Sequence, residues 1–192
     1  MIYDKKELVS KGKYMSFILR HGKEEYDAGL IDNNGWMEID YLASLKGYSK
    51  ELIDEIVKTN NKARYEYNED KTKIRARQGH SIPVDVGLKE AVITVKNPYL
   101  YHGTSEKFLD NIKKDGILHQ TRQYVHLSPD EETAINVGKR HGGETYIIVI
   151  NAFQMIEDGE IIYISNNGVY NVKKVEPKYF VRIEHVIKTK NK

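Results

Sequence analysis

The 192-residue sequence contains no cysteine, so it can form neither disulfides nor metal sites built on thiolates. It also lacks a long apolar run, because no stretch reaches the roughly 18 residues that a membrane-spanning helix needs. The first residues contain no apolar core of the kind found in signal peptides. These absences predict a soluble, cytoplasmic protein with no membrane association.

The motifs of several large enzyme classes are absent as well. No G-x-G-x-x-G follows a predicted strand and no Walker loop occurs, which argues against a doubly wound dinucleotide-binding domain and a P-loop nucleotidase. The seven histidines show no metal-ligand spacing such as H-E-x-x-H, and no G-x-S-x-G elbow is present. Residues Asp32–Gly35 are a turn signal rather than a calcium loop, because the acidic spacing and the terminal Glu are missing. We therefore expect neither a metal cofactor nor a covalent hydrolase.

Charge is nearly balanced over the whole chain, with 30 Lys and Arg against 28 Asp and Glu. A net charge of +2 gives no overall field that would steer nucleic acid to the protein. The distribution is uneven, however: residues 61–80 carry six basic and three acidic side chains, and residues 173–192 carry seven and two. A site for a polyanion should therefore be local and should combine basic groups from separated stretches.

The first half of the chain has the periodicity of helices followed by a hairpin. Residues 4–21 have apolar side chains at helical spacing, with Asp4 as a candidate N-cap and Gly22 as the stop. Further elements are predicted as a short strand at 36–39, helices at 40–46 and 49–60, and hairpin strands at 64–68 and 72–77. Three helices followed by a hairpin form the outline of a winged helix.

The second half, from Asn97–Pro98 onwards, is richer in short strands. Strands are predicted at 100–102, 124–127, 146–150, 161–164, 169–172 and 181–186, with helices at 106–115 and 130–141. The sequence thus predicts an α+β protein with an N-terminal winged-helix-like lobe at residues 1–95 and a β-rich C-terminal lobe at residues 96–192.

Three clusters of arginine and histidine, each beside a glycine, are the first candidate sites. Arg20–His21 and Lys139–Gly143 lie at predicted helix ends, where the helix dipole alone favours cations. Arg75 and Arg77 point to the same side of a predicted strand, just ahead of Gly79–Ser81. Paired arginines on a strand commonly form a solvated face, but their planar guanidinium groups also match the oxygens of a phosphate. Because arginine and histidine occur together beside a glycine three times, we interpret these clusters as a site for phosphate.

Two histidines of the second half provide further candidates. His102-Gly103-Thr104 follows a predicted strand, and His126-Leu127-Ser128 lies in another. A His-Gly-Thr turn would expose backbone N–H groups and a hydroxyl, while an imidazole can form a hydrogen bond with a ribose hydroxyl. Each motif alone is also explained as an ordinary polar strand end.

Taken together, these segments resemble a known family. Five of them, in this order, are similar to motifs of the tRNA 2′-phosphotransferase family, the KptA-type RNA:NAD 2′-phosphotransferases: Ser16–His21, Ile74–Ser81, Leu100–Thr104, Tyr124–Ser128 and Val137–Gly142. The resemblance covers nearly the whole chain. Each motif is weak alone, and the signal lies in five motifs that occur in the right order.

The resemblance implies a C-terminal lobe of the ADP-ribosyltransferase type that binds NAD, with RNA phosphate held between the lobes. NAD would be consumed as a co-substrate, no metal would be needed, and no obligate protein partner is implied. The substrate would be RNA with an internal 2′-phosphate, such as the tRNA produced by splicing. The 2′-phosphate would attack the nicotinamide ribose, and the neighbouring 2″-hydroxyl would then attack the phosphate. The products would be 2′-hydroxyl RNA, nicotinamide and ADP-ribose 1″,2″-cyclic phosphate.

The resemblance also assigns roles to residues. Arg20, Arg75 and Arg140 match the catalytic arginines of the family, and His21 matches its catalytic histidine. The NAD-binding positions correspond to His102, Gly103, Thr104, His126 and Ser128, and contacts to RNA phosphate are expected from Gln78, His80 and Ser81. Arg77 is left off the catalytic set, because the family motif fixes Arg75 more firmly. No acidic residue lies between residues 161 and 175, where many ADP-ribosyltransferases have a late-strand Glu.

Two alternatives from other classes stay open. A winged-helix protein that only binds nucleic acid should have a basic recognition helix, but residues 49–60 contain two lysines against three acidic side chains. An ADP-ribosyltransferase that acts on protein or on nucleic-acid ends would leave a stable adduct instead of a cyclic phosphate. The sequence names neither the physiological RNA nor the oligomeric state.

Overall fold

The architecture is taken from a computed structural model that describes residues 3–187. The chain divides into two compact units. The first unit contains the chain up to Gly87 together with Thr121–Gln123, and the second contains Leu88–Gln120 and the chain from Tyr124 onwards. The presence of helices and strands in both units confirms the α+β class.

The boundary between the units differs from the predicted one at residues 95 and 96. Residues 88–95 belong to the second unit, because Lys89–Glu90 pairs with Tyr163–Ile164 and the N–H of Ala91 donates to the carbonyl of Ile162. The sequence signal at Asn97–Pro98 marks a local turn, in which the Asn97 N–H donates to the Thr94 carbonyl.

The first unit consists of four helices and a small antiparallel sheet. Its helices are α1 (Lys5–His21), α2 (Lys23–Asp27), α3 (Ile39–Ser44) and α4 (Lys50–Lys58). Its strands are β1 (Met37–Glu38), β2 (Tyr65–Tyr67) and β3 (Lys73–Ala76), in the spatial order β1-β3-β2. The predicted helices and the hairpin of β2 and β3 are present. The sequence analysis missed the short helix α2.

The core of this unit forms where apolar stripes of α1 and α4 meet the sheet. Met15, Ile18 and Leu19 are buried on α1, and α4 packs against this helix with its own buried stripe. The buried residues of α4 are Leu52, Ile53 and Ile56. Ser49 caps α4 by accepting a hydrogen bond from the Leu52 N–H at 3.2 Å. Asp4 occupies the N-cap position of α1, but its side chain makes no capping hydrogen bond.

Gly22 separates α1 from α2 for a steric reason. Its φ of −70° is open to any residue, so a left-handed conformation does not explain the glycine. A Cβ atom at this position would lie 2.5 Å from the carbonyl oxygen of Ile18. Gly22 therefore allows α1 to end immediately after Arg20 and His21.

Up to residue 187, the second unit consists of short strands with three helices. Its strands are β4 (Lys89–Glu90), β5 (Tyr99–Ser105), β6 (Ile117–Leu118), β7 (Val125–Leu127), β8 (Thr145–Asn151), β9 (Tyr163–Ile164), β10 (Tyr170–Val172), β11 (Lys174–Val175) and β12 (Phe180–His185). Its helices are α5 (Leu109–Asp115), α6 (Glu131–Gly138) and α7 (Ala152–Glu157), with 3₁₀ turns at Glu106–Phe108, Lys139–His141 and Pro177–Tyr179. The predicted helices 106–115 and 130–141 are therefore each part α-helix and part 3₁₀ turn.

These strands form three sheets, with the orders β4-β9-β10-β7, β12-β8-β5 and β11-β6. The centre of the core is β8, whose residues Ile147–Ile150 are all buried. An isolated bridge between Tyr101 and Ser128 brings β5 alongside the end of β7. Within residues 3–187, no helix is both long enough and apolar enough to cross a membrane.

Candidate active site

In the first unit, the C-terminal end of α1 is tied to the segment that follows β3. The Ser81 N–H donates to the Arg20 carbonyl at 2.9 Å, and the Ser81 hydroxyl forms a hydrogen bond with Nδ1 of His21 at 2.9 Å. Residues separated by sixty positions in sequence thereby meet at one place. The structure brings together three of the predicted site residues, Arg20, His21 and Ser81.

Arg20 provides the strongest electrostatic feature of this cluster. Its Nε atom is buried without a hydrogen-bond partner, and among the described residues no carboxylate forms an ion pair with it. Burial, with smaller effects of the nearby cations Arg64 and Arg122, lowers the pKa of Arg20 to about 10, while Tyr65 opposes the shift. A guanidinium that is desolvated, close to other cations and not neutralised by an acid is a favourable place for an anion.

His21 is a neutral imidazole at neutral pH in this arrangement. Burial lowers its pKa below the usual value of a histidine, and the positive charges of Arg20 and Arg122 add to the effect. A neutral imidazole can accept a proton from a hydroxyl group or donate a hydrogen bond to a phosphate oxygen. A bound anion would raise the pKa of His21, because it would offset the neighbouring cations.

His80 lies close by but is buried, with 3% of its surface exposed. Burial lowers its pKa to about 3, followed by the charges of Arg20, His21 and Arg75, so it is neutral at all ordinary pH values. Its Nε2 atom has no partner among the described groups. His80 was predicted as an RNA contact; its side chain is buried, and that contact stays a prediction. Gln78, predicted for the same role, is half-buried.

Arg75 and Arg77 point to the same side of the hairpin, as predicted, but they do not form an open pair of cations. Glu66 lies opposite Arg75 across β2 and β3, with 2.7 Å between Nε of Arg75 and Oε1 of the carboxylate. Its other oxygen lies 3.5 Å from Nε of Arg77. Arg75 also donates to the carbonyl of Asn34 at 3.0 Å and stacks over the ring of Trp36 at 4.2 Å. These contacts hold the Arg75 guanidinium in a fixed orientation.

The second unit contains the paired histidines. His102 on β5 and His126 on β7 meet because Tyr101 and Ser128 exchange backbone hydrogen bonds at 2.9 and 2.8 Å. Nδ1 of His102 lies 3.2 Å from the carbonyl oxygen of His126. A carbonyl oxygen only accepts, so Nδ1 carries the proton and Nε2 is left as an acceptor. Burial lowers the pKa of His102 to about 4, while the His126 carbonyl opposes the shift.

Gly103 and Thr104 have packing roles in the structure. A Cβ atom at Gly103 would overlap the carbonyl oxygen of Ala134, because α6 lies directly against β5 at this point. Thr104 is 2% exposed, and its backbone approaches Gly138 of the same helix. Gly103 and Thr104 therefore lie where α6 packs closely on β5, and their contact with NAD stays a prediction. Ser128 contributes through its backbone to the bridge that joins the two histidine strands.

Arg140 lies in the exposed 3₁₀ turn Lys139–His141 at the end of α6. The Lys107 ammonium donates to the His141 carbonyl at 3.1 Å, and the ring of Phe108 packs edge-on against the His141 ring at 5.7 Å. Both contacts hold the turn at His141, the residue that follows Arg140. Among the described residues no carboxylate forms an ion pair with Arg140.

Several residues near these sites were missed by the sequence analysis. Arg64, Glu66, Arg122 and Gln123 each influence the first-unit cluster, and all depend on long-range contacts. Of these contacts, only the pair of Glu66 and Arg75 could have been predicted from the sequence, because the register of the hairpin places Glu66 opposite Arg75. Within residues 3–187 no group of three or more His, Asp or Glu side chains is arranged to hold a metal ion.

Comparison with known proteins identifies what the chain is similar to. A sequence profile described as RNA 2′-phosphotransferase, Tpt1/KptA family, matches residues 6–174. A probable RNA 2′-phosphotransferase of Flavobacterium johnsoniae is 45% identical over 175 residues, which cover 88% of this chain and 93% of the relative. A protein with the same description from Fusobacterium nucleatum is 44% identical over 176 residues, 89% of this chain and 96% of the relative. A third, from Rhodopirellula baltica, is 44% identical over 182 residues, 91% and 95% of the two chains.

Proposed function

The chain belongs to the Tpt1/KptA family of RNA 2′-phosphotransferases, and on this premise we propose that it removes an internal 2′-phosphate from RNA by transferring it to NAD. The observation that carries the proposal is Arg20, whose Nε atom is buried without a hydrogen-bond partner beside His21 and Ser81, and to which no carboxylate of residues 3–187 is ion-paired. Such a group binds a phosphate more strongly than a surface cation does, because little water competes for it. The surroundings of Arg20 therefore support an anion site here, which suits a reaction on a phosphate.

The proposed reaction has two steps. An oxygen of the RNA 2′-phosphate attacks the anomeric carbon of the nicotinamide ribose, and nicotinamide leaves with the electron pair of the broken C–N bond. The ribose 2″-hydroxyl then attacks phosphorus and loses its proton, the bond to the RNA 2′-oxygen breaks, and that oxygen takes up a proton. The second step places negative charge on the phosphoryl oxygens, which Arg20, Arg75 and Arg140 would stabilise without a metal ion. His21, neutral before the reaction, is the candidate to accept the hydroxyl proton.

The chemistry of His102 and His126 fits NAD. Because Nδ1 of His102 is committed to the His126 carbonyl, its Nε2 atom can accept a hydrogen bond from a ribose hydroxyl. The lowered pKa of His102 keeps this ring uncharged, so it does not oppose the positive charge that develops on the sugar as nicotinamide leaves. The bound NAD would supply the electrophilic sugar carbon, and the histidines would orient its ribose.

The proposal is tested with NAD and a short RNA that carries one internal 2′-phosphate. We expect nicotinamide, 2′-hydroxyl RNA and ADP-ribose 1″,2″-cyclic phosphate as products, identified by mass spectrometry. The same RNA with a 2′-hydroxyl should release no nicotinamide. Arg20→Ala should abolish turnover, while Arg182→Ala, which removes an exposed cation of β12, should leave it unchanged. A stable ADP-ribose adduct as the final product, or RNA binding without consumption of NAD, would refute the proposal in favour of the other two classes.

A further inference from the structure

The exposed side of α1 carries a stripe of residues that leads to the candidate active site. Its four members are exposed and follow one another at intervals of four, three and four residues: Lys6, Ser10, Lys13 and Phe17. Because an α-helix makes one turn in 3.6 residues, side chains at this spacing lie on one side of the helix. We call these four residues the α1 stripe. The same spacing continues to Arg20 and His21, where the helix ends.

Phe17 is the large apolar member of the α1 stripe. Although the ring is apolar, 56% of the residue is exposed. The centroid of its ring lies 5.9 Å from that of the His21 ring, at an interplanar angle of 49°. Tyr14, one turn earlier, is 52% exposed. Single exposed apolar side chains are common on protein surfaces, but two exposed aromatic residues one turn apart, beside a candidate catalytic ring, indicate a surface that a ligand covers.

The charge of α1 narrows the class of this ligand. The helix contains four lysines and one arginine against a single acidic residue, Glu7. Two of the lysines, Lys6 and Lys13, belong to the α1 stripe itself. Proteins that bind single-stranded nucleic acid combine aromatic rings, on which bases stack, with cations along the backbone. The α1 stripe therefore suits a ligand that has both flat rings and negative charge, as a single strand of RNA does.

A role of Phe17 as a mere support for His21 explains less of the structure. The His21 ring is already held through its Nδ1 atom, which forms a hydrogen bond with the Ser81 hydroxyl at 2.9 Å. A supporting ring is most effective when it is itself buried, whereas more than half of Phe17 stays exposed beside His21. The contact with His21 thus leaves much of the Phe17 side chain accessible to a further ring.

We propose that Phe17 stacks on a base of the substrate RNA, in the nucleotide next to the one that carries the 2′-phosphate. The inference rests on the proposed function, which identifies the anion at Arg20 and His21 as an RNA 2′-phosphate. Four residues of helix, about 6 Å, separate Phe17 from His21, so a base on Phe17 belongs to a nucleotide beside the reacting one. Every base has a flat face, and this contact therefore requires a base without selecting which one.

The first test is equilibrium binding of a short 2′-phosphorylated RNA in the absence of NAD. Phe17→Ala should raise the Kd about tenfold, within the range expected for loss of one aromatic side chain that stacks on a base. Phe17→Trp should keep the affinity, while Phe17→Leu, which is apolar but has no flat ring, should resemble Phe17→Ala. Tyr99→Ala removes an exposed aromatic residue of β5 and should leave the Kd unchanged. Circular dichroism verifies the fold of each variant.

The second test removes the base instead of the side chain. Two RNAs carry an abasic nucleotide, one directly 5′ and the other directly 3′ of the phosphorylated nucleotide. One of them should bind the unmodified protein about tenfold more weakly than the complete RNA. With that RNA, Phe17→Ala should cause no further loss, because both changes remove the same contact. Full additivity of the two losses with both RNAs would overturn the inference.

Stacking is observed directly with 2-aminopurine in place of the base identified by the abasic RNAs. Its fluorescence should be quenched when the unmodified protein binds and should stay higher in the complex with Phe17→Ala. Equal quenching in the two complexes would show that the base stacks elsewhere, and the inference would be wrong. These measurements need no turnover. If the unmodified protein does not consume NAD with 2′-phosphorylated RNA, the proposed function fails instead, and the fluorescence still decides the role of Phe17.

Discussion

Arg75 and Glu66 face each other across the β2–β3 hairpin, with 2.7 Å between Nε and Oε1 and only 14% of either side chain exposed. The carboxylate fixes the direction of the guanidinium, and the Asn34 carbonyl and the Trp36 ring complete its surroundings. If Arg75 binds the RNA phosphate as proposed, its remaining N–H groups would meet the ligand from a preset position, with little loss of side-chain entropy on binding.

Replacement of Glu66 should therefore impair activity, although it removes a negative charge beside the arginines that we propose to bind phosphate. In Glu66→Gln the Arg75 side chain loses its charged partner, and we expect the free energy of unfolding to fall by about 1–3 kcal/mol. Turnover of 2′-phosphorylated RNA should fall as well, measured with saturating NAD. Glu184→Gln removes an exposed carboxylate paired with Arg182 and is the control. Faster turnover in Glu66→Gln would show that the carboxylate only weakens the site.

The arginines should separate the two chemical steps. Loss of nicotinamide makes the sugar more positive, whereas the attack on phosphorus loads negative charge onto phosphoryl oxygens. Loss of one preorganised donor in such a site typically costs about 10²–10³ in rate. Arg75→Ala and Arg140→Ala should therefore accumulate RNA with ADP-ribose on its 2′-phosphate, resolved on a gel time course. If the variants instead leave unreacted RNA without any adduct, these arginines act in substrate binding or in the first step.

The paired histidines should affect NAD rather than RNA. His102→Ala and His126→Ala should weaken NAD binding or slow nicotinamide release, with unchanged affinity for 2′-phosphorylated RNA. Binding of each ligand is measured separately by calorimetry, and circular dichroism verifies the fold. His185→Ala serves as the control, since that histidine lies at the end of β12 and contacts Glu144 and Tyr146. If a folded double variant binds and consumes NAD normally, the proposal that NAD binds at these two strands is wrong.

Acid should destabilise the first unit through His80. The folded pKa of about 3 lies well below the ordinary value near 6.5, so the folded protein binds fewer protons than the unfolded chain in this range. The contribution of His80 to stability is therefore complete above about pH 6.5 and is lost progressively as the pH falls towards 3. Between pH 6.5 and pH 5, the free energy of unfolding should fall by about 2 kcal/mol because of His80. Urea titrations of the unmodified protein and of His80→Gln at both pH values give this difference, which is zero if the pKa of His80 is the same in the folded and unfolded protein.

Gly103 and Gly12 form a matched pair for the packing interpretation of the His-Gly-Thr motif. Gly103→Ala would force a Cβ atom against the Ala134 carbonyl, and we expect a loss of about 1–3 kcal/mol in the free energy of unfolding. Gly12 lies inside α1, where an added Cβ has room beside Ile56 at 3.4 Å, so Gly12→Ala should stabilise by about 0.5–1 kcal/mol. Equal thermal stability of the two variants would contradict the close approach of α6 to β5.

The sequence allowed prediction of the features that depend on local chemistry. Helical spacing located α1, and the cap at Ser49 located α4, because both signals lie within one or two turns. Alternation and turn residues located the hairpin, and with it the shared direction of Arg75 and Arg77. The meeting of Arg20–His21 with Ser81 was indicated only through the family motifs.

What the sequence could not provide depends on contacts across long separations. The hydrogen bonds that Gln123 donates to the carbonyls of Ile82 and Val84 require that the chain returns to residues 80–84, and no local pattern encodes that return. The burial of His80 is likewise a tertiary property, since a histidine after a glycine has the same appearance in an exposed loop. The packing of Gly103 against α6 is a tertiary property too, because Ala134 lies far away along the chain.

The three-residue return at Thr121–Gln123 also bears on how the protein can be divided. A gene fragment that ends at Gly87 would encode every helix and strand of the first unit and still omit Arg122 and Gln123. Chimeras between relatives that exchange only the N-terminal part would combine residues 80–84 of one parent with residues 121–123 of the other. Residues 80–84 and 121–123 should therefore be inherited together, although they are far apart in the sequence. Recombination within this family should be tolerated best where both stretches come from the same parent.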